Sequence, residues 1–191
     1  MKRKRQPPRR AEVIRKRQLS PHMLRITLGG VGLTDFPEDQ NSAYIKLRIV
    51  EPAPDSDEKL LVRTYTVRNY DSKSQELDVD FDMHDAEGPA ANWGRDCEPG
   101  DSIGIMGPGP RKLVDPNADW FLLAGDMSAL PAIGANIELL PDSARGYALL
   151  EIIDIAVRRR EIARMARWHA VNLGRRRILP VSCPSQTSTP D

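Results

Sequence analysis

The pattern of apolar residues changes at about residue 112, and this change limits the possible folds more than any other feature. Before it, short segments such as 43–49 and 76–82 alternate apolar with polar residues, and turn residues separate them. After it, residues 120–124 form a continuous apolar run, and a helical pattern follows over 128–140. Alternation is typical of half-buried antiparallel strands, whereas continuous apolar runs are typical of buried parallel strands. The sequence therefore predicts a mainly β unit followed by an α/β unit.

The first unit, residues 10–112, contains six predicted strands with turn chemistry between them. Six short strands at this spacing favour a small antiparallel barrel. Asn69 to Ser72 is predicted to be a turn. The expected strands are one ending at residue 19 and those over 23–28, 43–49, 61–68, 76–82 and 102–106.

The second unit, residues 113–154, predicts the β-α-β start of a nucleotide-binding sheet. A helix over 128–140 ends at Pro141, and the next strand covers 146–153. Only two parallel strands are visible, so the domain is expected to be incomplete. The predicted organisation is a basic tail (1–9), a barrel domain (10–112), a partial α/β domain (113–154) and a divergent region (155–191) with an Arg-rich helix at 155–170 and a disordered end at 180–191.

The composition argues against several classes of protein. The 191 residues are 40% hydrophobic and 29% charged, which is typical of a folded domain and not of a disordered chain. No run approaches the roughly 18 apolar residues of a membrane span, and the basic N-terminus lacks the apolar segment of a secretory signal. Cys97 and Cys183 alone form neither a disulfide framework nor a zinc site. We therefore expect a cytoplasmic protein with no membrane partner and no bound metal.

Basic residues are concentrated near both ends of the chain. Residues 1–17 contain nine Lys or Arg and one acid, and residues 158–177 contain eight Arg and one acid. Such segments are either solvated tails or contacts for nucleic acid. Neither segment interleaves aromatic residues in the way that stacking platforms for bases do. This favours solvated tails and predicts no nucleic-acid partner.

The predicted strand over 61–68 carries an aromatic residue, Tyr65, between a cation, Arg63, and a hydroxyl, Thr66. A ring can cover a flat ligand, a guanidinium can bind phosphate, and a hydroxyl can bond a ring heteroatom. The pattern therefore suits a flat, anionic ligand. The alternative is a barrel strand with a ladder of Arg and Tyr on its surface.

Two further segments place the start of a helix directly after a strand. In residues 84–93, a Gly-Pro turn precedes a short helix, whose first backbone N–H groups suit an anion such as pyrophosphate. In residues 123–133, a strand passes through Gly125 into a helix capped by Asp126 or Ser128, without the three-glycine dinucleotide motif. A plain turn and helix, and an ordinary capped helix, are the structural alternatives.

Six segments, in this order and spacing, resemble the siderophore-interacting proteins. These are flavin-dependent ferric-siderophore reductases, a branch of the ferredoxin–NADP reductase superfamily. The resemblance covers roughly residues 10–153 and implies a FAD-binding barrel followed by an NAD(P)H-binding α/β domain. The segments are PHMLRITLGG, AYIKLRI, VRTYTVR, HDAEGPAANW, EPGDSIGIMGPGP and FLLAGDMSALPAI.

The resemblance also implies roles for individual residues. Tyr65 would stack near the isoalloxazine and Thr66 would bond near its reactive nitrogen, so these two are the expected catalytic residues. Arg63 and Arg68 would meet phosphate, and Lys46 would receive the anionic ferric siderophore. Contacts to the FAD diphosphate are implied for His84, Gly88, Pro89, Ala90 and Trp93. The nicotinamide segment corresponds to Gly125, Asp126, Ala129 and Pro131.

The activity implied by the resemblance is reduction of siderophore-bound Fe(III) by NAD(P)H through the flavin, which releases iron as Fe(II). The family sequence is expected to stop at about residue 154, as a shifted reading frame or an early terminus would produce. Two alternatives remain: a flavin- or siderophore-binding module without turnover, and a basic nucleic-acid binder. A monomer is expected.

Overall fold

The computed structural model of the chain describes residues 7–51, 59–83 and 88–151, together with the backbone of residues 169–172. The first unit is a seven-stranded antiparallel sheet with the order β4-β3-β7-β1-β2-β6-β5. Its strands are β1 (Arg9–Ser20), β2 (Met23–Gly29), β3 (Tyr44–Val50), β4 (Leu61–Thr66), β5 (Asn69–Asp71), β6 (Glu76–Asp82) and β7 (Ser102–Met106).

The sheet coils because its two edge strands follow each other in the chain. Only Val67 and Arg68 separate β4, at one edge, from β5, at the other. The Val67 amide donates to the carbonyl of Ala43 (2.8 Å), and the Arg68 amide donates to the carbonyl of Asp78 (3.0 Å). The two edges are thereby brought together, as the barrel prediction requires.

Alternating side chains fill the interior of the sheet, as the sequence predicts for residues 43–49. Ile45 and Leu47 are fully buried, whereas Lys46 between them is exposed. Burial of these apolar faces is the main source of stability for the unit. Other strands contribute Val13, Ile26, Leu28, Leu77, Val79, Phe81 and Ile105 to the same core.

The prediction of six strands was wrong, because part of the expected turn after β4 forms the short strand β5. Tyr70 holds it in place: its hydroxyl donates to the carbonyl of Leu33 (3.0 Å), and its ring lies 4.7 Å from that of Phe36. At the start of the chain, Arg9 opens β1 and pairs with Ile105. Neither long-range contact is visible in local sequence.

The second unit contains a parallel sheet with the order β10-β9-β8. Its elements are β8 (Phe121–Gly125), α2 (Leu130–Leu139), β9 (Gly146–Leu150) and β10 (His169–Asn172). The expectation of only two parallel strands was wrong, because β10 pairs with β9. The last two residues of the predicted Arg-rich helix, 169 and 170, belong to β10 and are not helical. Its other residues and the predicted disordered end lie outside the described residues.

The two units share an apolar cluster. Leu19 and Met23, from the first unit, pack with Phe121, Met127 and Leu130 of the second. A further helix, α1 (Pro89–Asp96), lies between β6 and β7 in the chain. Within the described ranges, none of the helices has the length and apolar character needed to cross a membrane.

Candidate functional site

A cavity of about 980 Å³ opens between β4, the start of α1 and the start of α2. This volume lies at the upper end of the range of small-molecule sites, which are about 300–1,000 Å³. We call it the interdomain cavity. The residues that line it are Ser42, Tyr44, Lys46, Arg63, Thr64, Tyr65, Thr66, Asp80, Asp82, Gly88, Pro89, Ala90, Ala91, Pro110, Lys112, Met127, Ser128, Ala129, Pro131 and Ala132.

Strand β4 forms one wall of the cavity with four consecutive residues, 63–66. Arg63 and Tyr65 lie on one face of β4 and Thr64 and Thr66 on the other, and all four residues line the cavity. Arg63 is exposed, and one of its Nη atoms donates to the carbonyl of Val62 (3.1 Å). The structure therefore brings together the cation, the ring of Tyr65 and the hydroxyl of Thr66, as the sequence suggested.

A row of three aromatic rings supports this wall. The ring of Tyr65 lies 4.3 Å from that of Phe81, which in turn lies 5.7 Å from that of Trp93. Burial raises the pKa of the Tyr65 phenol, so the hydroxyl stays protonated and keeps its hydrogen to donate. Trp93 is not among the residues that line the cavity; it supports Tyr65 through Phe81, and its contact with the diphosphate stays a prediction.

The start of α1 forms a second wall. Pro89 occupies the first helical turn after Gly88, and the next two residues, Ala90 and Ala91, also line the cavity. Amides in the first turn have no partner within a helix, so they are available to an anion. At the other end, Lys16 Nζ donates to the carbonyls of Arg95 (2.8 Å) and Cys97 (2.6 Å), which fixes the helix on the barrel. His84 lies outside the described residues.

The turn before α2 forms a third wall. The Asp126 carboxylate accepts hydrogen bonds from the amide (2.9 Å) and hydroxyl (2.6 Å) of Ser128 and from the amide of Ala129 (3.1 Å). The bond from the Ser128 hydroxyl is the main reason that the pKa of Asp126 lies below its usual value. A Cβ on Gly125 would lie 2.5 Å from Ala129 Cβ, so glycine permits the close approach of β8 to α2. Gly125 and Asp126 therefore shape the turn, whereas Ser128, Ala129 and Pro131 line the cavity.

Arg68 does not line the cavity. Its two Nη atoms donate to the two carboxylate oxygens of Glu138 at 2.8 and 2.6 Å, and its side chain is 12% exposed. Its Nε lies 3.9 Å from the carboxylate of Asp80. In this structure the guanidinium joins the barrel to α2, and the contact of Arg68 with phosphate stays a prediction.

Two acids and one further cation in the cavity were missed by the sequence analysis. Asp80 accepts from Arg25 Nε (2.6 Å) and Nη2 (2.8 Å), and Asp82 lies two residues further along β6. Lys112 follows the last strand of the barrel, and its carbonyl accepts from Ser42 Oγ and Asn136 Nδ2, both at 3.1 Å. The sequence feature that could have indicated Lys112 is its position at the boundary between the two units, where ligand sites are common.

Lys46 lies where the cavity meets a neighbouring groove. It lines the interdomain cavity and also a groove of about 1250 Å³, and Tyr44 does the same. Both side chains lie on the outer face of β3, opposite the buried Ile45. An anionic ligand in the groove would therefore meet a cation next to the cavity.

Comparison with known families supports the resemblance. Residues 12–56 and 49–112 match the siderophore-interacting FAD-binding domain, and residues 118–177 match the siderophore-interacting protein family. The second match continues beyond residue 154, so the expectation that the family sequence stops there was wrong.

Several proteins are similar to this chain. Ferric vibriobactin reductase ViuB of Vibrio cholerae is 40% identical in an alignment of 163 residues that covers 78% of this chain and 60% of that protein. The uncharacterized protein Rv2895c of Mycobacterium tuberculosis is 43% identical in an alignment of 159 residues that covers 74% of this chain and 56% of that protein. The chain thus spans about 60% of the length of these relatives.

Solved structures support the same assignment. The siderophore-interacting protein SipS of Aeromonas hydrophila is 34% identical, with a TM-score of 0.68 over 78% of this chain and 61% of that one. A mutant of the ferredoxin–NADP⁺ reductase from Plasmodium falciparum, 11% identical, shares the fold with a TM-score of 0.66 over 89% of this chain and 72% of that one. The chain belongs to the siderophore-interacting protein family, and its barrel is that family's FAD-binding domain.

Proposed function

We propose that this chain is an NAD(P)H-dependent ferric-siderophore reductase whose FAD binds in the interdomain cavity. One observation carries the proposal: Arg63, Tyr65 and Thr66 line the same cavity as the first turns of α1 and α2. The reductase name of the Vibrio cholerae relative supports the reaction class. We further propose a barrel domain ending at residue 112 and a nucleotide domain after it.

The residues present suit FAD. The ring of Tyr65, backed by Phe81, offers a flat apolar surface for a fused ring system, and the Thr66 hydroxyl offers a polar contact beside it. Arg63 and the first-turn amides of α1 offer a cation and N–H donors for phosphates. When bound, FAD supplies the chemistry that accepts two electrons as a hydride and releases them singly.

The remaining walls suit the other two reactants. Ser128, Ala129 and Pro131, at the start of α2, face the space across from β4, where NAD(P)H would enter. Lys46 and Lys112 are exposed cations that would attract an anionic ferric chelate, with iron as the substrate. The protein needs no ligand to the iron, because the siderophore holds it.

The proposal is tested on the purified full chain. We expect a yellow protein, or a colourless one that takes up one FAD, with flavin absorbance. In the presence of a ferric catecholate chelate and a chromogenic Fe(II) trap, the protein should consume NAD(P)H. Two Fe(II) should form for each NAD(P)H oxidised. A folded protein that refuses FAD would refute the assignment.

The alternative is a flavin-binding module without NAD(P)H turnover. This alternative predicts a yellow protein that ignores NAD(P)H and passes electrons to the ferric chelate only after reduction by dithionite. The monomeric state, the cytoplasmic location and the lack of a nucleic-acid partner stay predictions.

The role of the cations is tested by Lys46→Gln and Lys112→Gln. Each should raise KM for an anionic ferric chelate two- to five-fold with kcat unchanged, because an exposed ion pair contributes about 1 kcal/mol or less. The effect should shrink as salt is added. Lys73→Gln, an exposed lysine in the turn before β6, is the matched control. An equal rise in the control would contradict the role.

A further inference from the structure

We propose that Asn136 is a positioning residue that holds α2 at a set distance from β4 and so determines how NAD(P)H meets the flavin. The inference rests on the proposed function for its catalytic consequence. The attachment of α2 to the barrel stands on the structure and is tested separately below.

Asn136 is buried (8% exposed) on the side of α2 that faces the barrel, and its whole carboxamide is used. Its Nδ2 lies within hydrogen-bonding distance of three acceptors that share its two hydrogens: the Ser42 hydroxyl (2.8 Å), the Lys112 carbonyl (3.1 Å) and the Ala132 carbonyl of its own helix (2.9 Å). Its Oδ1 accepts from the Val114 amide (3.0 Å). A buried polar group with every partner in place specifies one arrangement of the elements that it joins.

Ser42 carries this contact on to the strand that lines the cavity. It is buried, and its amide donates to the carbonyl of Val67 (2.9 Å), the residue directly after β4. Ser42 has a φ of 72°, a conformation that few side chains adopt, so its surroundings must hold it there. Two hydrogen bonds therefore connect α2 to the end of β4 through this one residue.

A second attachment ends at the neighbouring position. Arg68 follows Val67 and forms the paired contact with Glu138, two residues after Asn136. Together with the apolar cluster that contains Leu130, these two contacts, one neutral and one ionic, restrict the movement of α2 on the barrel. We call the two together the α2 attachment.

The position of α2 affects the rate of hydride transfer through the distance between the reacting atoms. Hydride transfer needs reacting atoms about 3–3.5 Å apart, and a displacement of about 1 Å can cost about 100-fold in rate. Ala132, one turn before Asn136, lines the cavity across from β4. A shift of α2 would therefore move the nicotinamide side of the site and leave the flavin side in place.

The kinetic test uses Asn136→Leu, which keeps an apolar filler of similar size and removes the hydrogen bonds. We expect flavin reduction by NAD(P)H to slow about 10- to 100-fold. FAD affinity should stay within about two-fold, since the proposed flavin contacts come from β4 and the start of α1. Reoxidation of dithionite-reduced flavin by a ferric catecholate chelate should also stay within about two-fold, because Asn136 bonds the carbonyl of Lys112 and not its ammonium. Asn117→Leu, the same change at an exposed loop position, is the matched control. Equal losses in both half-reactions, or no loss in either, would overturn the proposal.

A second measurement needs no activity. Tryptophan fluorescence can follow each unit separately when Trp168 is replaced by Phe in every variant. One series also replaces Trp120, so that Trp93 reports on the barrel. The other series replaces Trp93, so that Trp120 reports on the second unit. Their urea unfolding curves should coincide in the parent chain and separate in Asn136→Leu. Glu138→Gln, which removes the ionic contact and leaves Arg68 beside Asp80, should also separate them, whereas Glu138→Asp, which keeps the charge, should not. Curves that separate in the parent, or coincide in every variant, would overturn the attachment even if NAD(P)H turnover is absent throughout.

Discussion

Arg25→Met is expected to destabilise the protein by about 3–5 kcal/mol, the cost of leaving a buried charge without its partner. The Asp80 side chain is 2% exposed and accepts from Arg25 at 2.6 and 2.8 Å. The next cation, Arg68, is 3.9 Å away and is committed to Glu138. Urea unfolding followed by far-UV circular dichroism measures the change.

The control is Arg15→Met, which breaks a pair with similar geometry at the surface. Arg15 lies 2.7 Å from Glu76, but these side chains are 55% and 26% exposed, so we expect a loss of about 1 kcal/mol or less. Adding Asp80→Asn to Arg25→Met should recover part of the stability, because the buried carboxylate that lost its partner is then neutral. Equal losses at the two arginines would show that burial of Asp80 does not govern the effect.

Arg63→Gln is expected to weaken FAD binding about 10- to 100-fold. A hydrogen bond from a guanidinium to phosphate contributes about 1.5–3 kcal/mol, and Arg63 is exposed on the cavity wall. Riboflavin, which lacks phosphate, should bind the parent protein and Arg63→Gln with equal affinity. Quenching of flavin fluorescence on titration measures both affinities.

Arg17→Gln provides the matched control, since it removes the same charge from an exposed position on β1 that does not line the cavity. Tyr65→Ala should behave differently from Arg63→Gln, because loss of a stacked ring weakens FAD and riboflavin alike, by about 1–3 kcal/mol. If Arg63→Gln weakened riboflavin as strongly as FAD, its assignment to phosphate would be wrong.

Several site residues were predictable because their evidence is local. Arg63, Tyr65 and Thr66 lie within four positions of one strand, and Pro89 follows the Gly-Pro pattern at a helix start. The alternation over 43–49 likewise placed Lys46 on the outer face of β3. These features depend on a period of two residues or on a turn, which a single segment already shows.

Other residues could not be assigned from the sequence because their partners are far away along the chain. Arg68 looked like a phosphate ligand beside Tyr65, but its partner Glu138 is 70 residues away. Trp93, which is predicted to contact the ligand, packs on Phe81, a contact that the local sequence does not show. Ligand binding and structural pairing use the same cations and rings, so local sequence does not separate them.

The sequence by itself determined the antiparallel barrel, the following β-α-β segment and the cluster on β4, since each of these depends on residues close together in the chain. Only the tertiary structure decided that β5 and β10 extend the sheets and that Lys112 lines the cavity. It also decided that Asn136 bonds Ser42 across 94 residues. A buried polar group must find a partner wherever the packed chain supplies one, and that choice follows from the folded arrangement of the two units.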